Sequence, residues 1–256
     1  MPGGPALYAA RMAANLGAKV KLITRVSRGY DRSVFDGIDL HALPTETACR
    51  YANRYDAAGA STQLLLAPGE PIDLARAQLP HCDALILAPA YHEFVAPPGD
   101  GPAVRAVFLQ GALRTTEGDR VIPHPDPFAQ AASLVTGDAY AFFSEEDTGD
   151  ADELARNLCD RGANVFVTRA QRGATLFSPG NERSDLPAFP TDGVVDPTGA
   201  GDCFATAFVV RMVETGDIPE ACRFALAAGS LAVEGPGIAG IPGRAAVERR
   251  LGEEAA

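Results

Sequence analysis

Val194-Val195-Asp196-Pro197-Thr198-Gly199-Ala200-Gly201-Asp202 runs straight into an apolar helical pattern, and the rest of the chain is read from this stretch. It puts small residues at a helix N-terminus and one carboxylate on the first turn. Backbone N–H groups there lack partners within the helix, and the helix dipole favours negative charge, so the turn can receive a phosphate-like anion. A carboxylate beside that pocket can take the proton of an attacking hydroxyl. The plainer alternative is an ordinary helix start with Asp202 as a favourable N-terminal charge. Context argues against it: Val194-Val195 is strand-like, Asp196 and Thr198 are polar, and the helix falls late in an alternating chain. The stretch is not a dinucleotide fingerprint, because Cys203 and Phe204 stand where a third glycine is needed. It is not a Walker loop either, since Gly-Lys-Ser/Thr is absent.

Around it the pattern alternates between strand and helix. Ala6 to Leu16 reads as a helix closed by Gly17, and residues 19–25 as a strand. Thr47 to Tyr55 and Ser61 to Leu66 read as a hairpin around Asp56-Ala-Ala-Gly59-Ala. Residues 84–88, 104–109, 139–143 and 164–168 are short apolar runs typical of buried parallel strands, with a helix over 150–161 between the last two. Asp202 to Thr215 carries Phe204, Ala205, Phe208, Val209 and Met212 on one face. Asp217-Ile-Pro-Glu220 is a capping-box start for a nearly all-apolar helix through Val233. Such alternation predicts an α/β fold with a parallel sheet covered on both faces. With no internal repeat or long linker, the expectation is a single domain over 1–256 with a β-hairpin excursion at about 45–67.

Composition narrows the class. The chain has 256 residues, is 46% hydrophobic, and carries a formal net charge of −11 with a pI near 4.8. That balance argues against nucleic-acid binding, which needs a basic face. No apolar run reaches the ~20 residues of a membrane helix. Met1-Pro-Gly-Gly-Pro lacks a basic segment and hydrophobic core, so no signal peptide is expected. The five scattered cysteines lack CxxC spacing and read as reduced thiols of a cytoplasmic protein. The four histidines have no ligand spacing.

Asp196-Pro-Thr-Gly-Ala-Gly-Asp202 resembles the C-terminal signature of the ribokinase-like (PfkB) carbohydrate kinases. Three further segments resemble that family in its own order. Gly3-Gly4-Pro-Ala-Leu-Tyr8 is similar to its N-terminal substrate-binding segment. Ser144-Glu145-Glu146-Asp147 stands where members often carry Asn-x-x-Glu. Val167-Thr168-Arg-Ala-Gln-Arg-Gly173-Ala174 resembles the strand and turn beside the nucleotide. The resemblance implies a three-layer α/β/α sandwich with a mostly parallel central sheet and a small β lid. It also implies an ATP-dependent kinase of a small sugar, polyol or cyclitol, with a nucleoside kinase or a catalytically silent ligand-binding relative as the alternatives.

The implied roles are specific. Asp202 is the base, and the amides of Gly199, Ala200 and Gly201 form an anion hole for the transferring phosphoryl group. Ser144, Thr168, Arg169 and Gly173 contact ATP. Gly3, Gly4, Tyr8 and Gln110 meet the substrate, although Gln110 reads equally well as a loop residue. Mg²⁺ bridges the phosphates, with Glu146 or Asp147 acting through water; a solvated helix start reads that acidic run equally well. Asp196 is a candidate for a monovalent cation such as K⁺, against simple turn chemistry at Pro197. Lid strands can pair between subunits, so a homodimer is expected as one option.

The chain also departs from the family. Members carry a strand before Gly-Gly, often with a sugar-binding Asp. Here the chain starts two residues before Gly3, so that strand is expected to be missing, through a misassigned start or a trimmed sequence. Tyr8 replaces an Asn that contacts the sugar ring, which points away from ribose and towards another polyol, a cyclitol or a nucleoside. Ala170 replaces a frequent glycine and Ser144 an Asn. Together Ser144-Glu-Glu, Gln110-Gly, Asp196-Pro-Thr and Val233-Glu234 look most like the inositol 3-kinase branch.

Overall fold

The computed structural model describes residues 2–55, 61–74, 79–94 and 101–254. Helix α1 (Pro5–Asn15) leads into strands β1 (Lys21–Ser27) and β2 (Asp39–Thr45), which pair parallel as a separate two-stranded sheet. Strands β3 (Arg50–Tyr55) and β4 (Ser61–Ala67) pair antiparallel, as the hairpin signal predicts. Their turn, residues 56–60, lies outside the described residues. Next come β5 (Ala84–Leu87), β6 (Val104–Phe108), β7 (Arg114–Glu117), β8 (Arg120–Pro123), α2 (Pro127–Leu134) and β9 (Tyr140–Ser144). The chain continues through α3 (Ala151–Cys159), β10 (Asn164–Thr168), β11 (Ala174–Ser178) and β12 (Glu182–Leu186). It ends with α4 (Ala200–Thr215), α5 (Ile218–Ala232) and α6 (Arg244–Glu254).

The central sheet has the order β12-β11-β10-β9-β6-β5. Strands β10, β9, β6 and β5 are parallel; β11 and β12 fold back antiparallel. Alternation along each strand sorts the side chains onto two faces. Phe108, Phe142 and Phe166 point to the layer of α1, α4 and α5. Val107, Phe143, Val165 and Val167 point to the layer of α2 and α3. Phe142 stacks on Phe166 with ring centroids 4.8 Å apart, and Phe166 meets Phe208 of α4 at 4.7 Å. Each such buried ring contributes about 1.5–3 kcal/mol of transfer energy.

Three helices start on the same device. Asp126, Asp150 and Asp217 each accept an amide of the first turn, from Ala129, Glu153 and Glu220 at 3.0, 2.9 and 2.8 Å. At α5 only half of the expected capping box forms, because Glu220 turns to Arg211 instead of back to Asp217. Cys159, Cys203 and Cys222 are buried and all five thiols are free. No described helix is long and apolar enough to cross a membrane.

The lid is wider than a hairpin. Strands β7 and β8 join β3 and β4 in a four-stranded antiparallel sheet ordered β3-β4-β8-β7. Five residues separate its β7 edge from the end of β6, so the lid springs directly from the sheet end where open α/β folds place ligands.

Candidate active site

The turn before α4 is built by hydrogen bonds that leave amides free. Asp196 Oδ1 accepts the Thr198 amide at 2.9 Å, and the Pro197 carbonyl accepts Ala200 N–H at 3.2 Å. Gly199 then turns left-handed at φ 79°, and its carbonyl accepts Cys203 N–H at 2.9 Å. The amides of Gly199 and Gly201 donate to no described residue, whereas that of Ala200 is taken by Pro197. The expected three-amide cradle is therefore two amides plus a turn-forming one.

Gly199 is required twice over. Its backbone lies where L side chains are strained, and a Cβ there would sit 2.2 Å from the Tyr8 ring. Gly201, by contrast, faces open space, as an anion pocket requires. Tyr8 itself is only 2% exposed, so it acts as a floor beneath the turn and not as the substrate-facing side chain the resemblance implied. Burial pushes its hydroxyl up to about 12, with the carboxylates of Asp196 and Asp202 adding to the effect.

Asp202 sits half-buried on the first turn of α4. Burial pushes its carboxyl up to about 7, opposed by the charge of Arg114 and reinforced by that of Asp147. Near neutral pH it therefore holds or releases a proton readily.

Asp147 is not the solvated carboxylate expected of a water-mediated metal ligand. It is 5% exposed, accepts Ser144 N–H at 2.8 Å, and lies 3.5 Å from Arg114 Nη2. Burial raises its carboxyl, and Arg114, the Ser144 amide and the Gln110 side chain pull the other way. The Ser144 hydroxyl caps the same one-turn helix by accepting Glu146 N–H at 3.3 Å. Glu146 remains exposed. Among the described residues no group of three or more His, Cys, Asp or Glu is placed to hold a metal ion.

The remaining predicted residues separate into two groups. Gly3 and Gly4 are exposed, with Gly4 at φ 99° capping α1, the helix that packs on α4 and places Tyr8 against Gly199. Gln110 follows the end of β6 and reaches Asp147. Ser144 and Thr168 stand side by side at the ends of β9 and β10. Gly173 is left-handed at φ 89°, and a Cβ there would meet the Leu186 carbonyl at 2.0 Å.

Arg169 departs from expectation. Its guanidinium binds Asp152, Glu145 at 3.1 Å and Thr175 Oγ1 at 2.9 Å, and it is 14% exposed. These partners hold it in a structural network rather than free for a nucleotide. Asp196 is similarly committed, its second oxygen accepting Gly237 N–H at 3.0 Å. A cavity of about 330 Å³ beside that Arg169 network is lined by Asp152, Arg169, Arg172, Arg183 and Asp185, whose charges already pair with one another or with Glu145.

Three residues near the site had no predicted role. Arg114 opens β7, Tyr51 comes from β3, and His92 lies in the loop after β5. The Tyr51 hydroxyl donates to the Ala90 carbonyl at 2.8 Å and lies within hydrogen-bonding reach of Arg114. The run Gln110-Gly-Ala-Leu-Arg114 was visible as a ligand-side loop, but nothing local marks Arg114 as turning inward.

Residues 120–242 match the pattern described as pfkB family carbohydrate kinase. The ribokinase of Bacillus subtilis is 42% identical over 90 residues, covering 35% of this chain and 30% of its own length, so the matched stretch spans under a third of that relative. The deoxyribokinase of Salmonella typhi is 27% identical over 267 residues, covering 92% of this chain and 82% of its own. A pyrophosphate-dependent kinase in the ribokinase family, solved with a pyrophosphate analogue and myo-inositol, superposes with a TM-score of 0.73 at 22% identity, covering 97% of this chain and 91% of its own. The chain thus has the ribokinase-like fold, and its residues 120–242 are similar to the PfkB carbohydrate kinase family.

Proposed function

We propose that this protein transfers a phosphoryl group from ATP to a hydroxyl of a small polyhydroxylated acceptor. The observation that carries the reading is Asp202 beside the unpartnered amides of Gly199 and Gly201 at the start of α4. The acceptor would lie between Gly3-Gly4, Gln110 and Asp202. Its hydroxyl attacks phosphorus while Asp202 takes the proton, and the two amides meet the charge growing on the phosphoryl oxygens. Ser144, Thr168 and Gly173 line the strand ends on the donor side. With Tyr8 buried under the turn, the ring of the acceptor meets mostly backbone and Gln110, which suits a compact polyol or a cyclitol such as inositol.

Mg²⁺ bound with the donor would neutralise its phosphates. Glu146, exposed on the one-turn helix, fits as a holder of its waters, while Asp147 does not, being committed to Arg114 and Ser144. Both oxygens of Asp196 hold backbone amides, which does not suit direct capture of K⁺, and no step runs through that ion. We read residues 1–256 as a single domain of a cytoplasmic enzyme, with the lid strands as the place where two copies would pair.

The test is a panel of ribose, fructose, myo-inositol, adenosine and cytidine, each with ATP or with pyrophosphate. Acceptor-dependent release of ADP or phosphate supports the reading, and the responding acceptor decides between a carbohydrate and a nucleoside kinase. Ligand binding without release, indifferent to Asp202→Asn, would instead identify a silent relative.

A further inference from the structure

Arg114 occupies an unusual position for a strand residue of the lid. Its guanidinium is 18% exposed and lies 3.5 Å from a carboxylate that is only 4% exposed. That separation is a loose ion pair, too long for a good hydrogen bond, so its five N–H donors are not used up by Asp147. The charge of Arg114 also reaches Asp202, where Arg114 is the cation and Asp147 the second acid.

The backbone under Arg114 is clamped. Its carbonyl accepts His92 Nε2–H at 2.6 Å, and His92 N–H donates to the Gly111 carbonyl at 3.2 Å. To do this His92 adopts φ 44°, a strained conformation for a non-glycine residue. Gly111 lets the two loops touch, since a Cβ there would sit 2.1 Å from the Pro89 carbonyl. Tyr51 of β3 and Asp147 both reach the guanidinium. A strained loop, a close glycine crossing and a lid tyrosine thus converge on one cation beside the proposed base.

We propose that Arg114 is a catalytic residue that binds the transferring phosphoryl group and offsets the charge on it as it passes to the acceptor. The inference rests on the phosphoryl-transfer reading above. In the step, the acceptor oxygen forms the new O–P bond and its proton goes to Asp202. The bond from phosphorus to the bridging oxygen breaks, and its electron pair leaves with ADP. Arg114 stays protonated throughout, exchanging its loose contact with Asp147 for phosphoryl oxygens, which a planar guanidinium grips well.

The experiment measures inorganic pyrophosphate binding by calorimetry at constant Mg²⁺, and turnover with the responding acceptor, for the wild type, Arg114→Lys, Arg114→Met and the double variant R114M/D147N. The double variant removes the stranded buried acid, so it tests the site where R114M alone fails to fold. Supporting results are a loss of pyrophosphate affinity of about tenfold or more, with kcat down about 10²-fold or more, acceptor KM within about threefold, and partial recovery in Arg114→Lys. Wild-type pyrophosphate affinity in R114M or in the double variant, with only a lowered melting temperature, would overturn the proposal and leave Arg114 as a counter-ion of Asp147. If no acceptor turns over in the wild type but pyrophosphate binding still depends on Arg114, the kinase reading falls while the anion site stands.

Discussion

Two neighbouring clusters at the same end of the sheet treat charge in opposite ways. At the start of α4, Asp202 is half-buried, has no hydrogen-bonded cation among the described residues, and has its carboxyl pushed up to about 7. At the ends of β9 to β12, Glu145, Asp152, Arg169, Arg172, Arg183 and Asp185 neutralise one another. There the Glu145 carboxyl is held below its ordinary value, with hydrogen bonds from Arg172 as the largest cause and Arg169 assisting. One cluster holds the fold closed around the turn at 169–173. The other leaves a carboxylate and two amides unsatisfied, which costs stability and keeps them available to a ligand.

The largest expected effect breaks the unsatisfied cluster. Asp202→Asn should lower turnover about 10²-fold or more while leaving nucleotide affinity and fold nearly unchanged. The sign of the pH effect follows from the raised carboxyl. Burial favours the protonated acid, so this group's stabilising contribution is complete below about pH 4 and is lost as pH rises towards 7, up to about 4 kcal/mol. Denaturant melts from pH 4 to 8 should therefore show the wild type falling relative to D202N. The rate kcat/KM should move the other way, rising with a midpoint near pH 7 as the base ionises.

Breaking the paired cluster should do the reverse. Arg169→Met removes the cation shared by Glu145 and Asp152, which keep Arg172 and Arg183, and should cost about 1.5–3 kcal/mol in urea melts. With nucleotide saturating, its kcat should stay within about threefold of wild type; a loss comparable to D202N would return Arg169 to the nucleotide site. Gly199→Ala sharpens the comparison by testing the turn itself. Left-handed strain and the Tyr8 ring together should cost about 1–3 kcal/mol and weaken pyrophosphate binding. Adding Tyr8→Ala should recover only the steric part, measured as a double-mutant cycle. The smallest effect is expected at Asp217→Ala, which removes the α5 cap and should cost about 1 kcal/mol with kcat unaltered.

Much of the scaffold was legible because its signals are local. The helix read from Asp202 begins two residues earlier in the structure, at Ala200, and ends at Thr215 as read. The apolar runs at 84–88, 104–109, 139–143 and 164–168 all became strands of the central sheet. Five strands are not read from the sequence: β2, β7, β8, β11 and β12. Of these, Arg114-Thr-Thr-Glu117 and Glu182-Arg-Ser-Asp-Leu186 are short, polar and lie at sheet edges, where one face stays in water, whereas Ala174-Thr-Leu-Phe-Ser178 is buried inside the central sheet. The sequence pattern shows two of the four strands of the lid. Asp147 was read as solvated because its acidic neighbours suggest a surface turn, and nothing nearby in the chain announces that Arg114 arrives to bury it.

The amino-acid sequence alone determined the glycine turn before α4, the carboxylate placed on its first helical turn, and the alternation of strands and helices behind them. These depend on glycine freedom, capping chemistry and periodicity, all of which act within a few residues. Only the tertiary structure decided that Tyr8 floors the turn, that Arg169 is committed to Asp152 and Glu145, and that Arg114 pairs with Asp147 while its charge reaches Asp202. Those relations join segments far apart in the chain. They are set by which sheet edge and helix face come together, and no local pattern encodes that pairing.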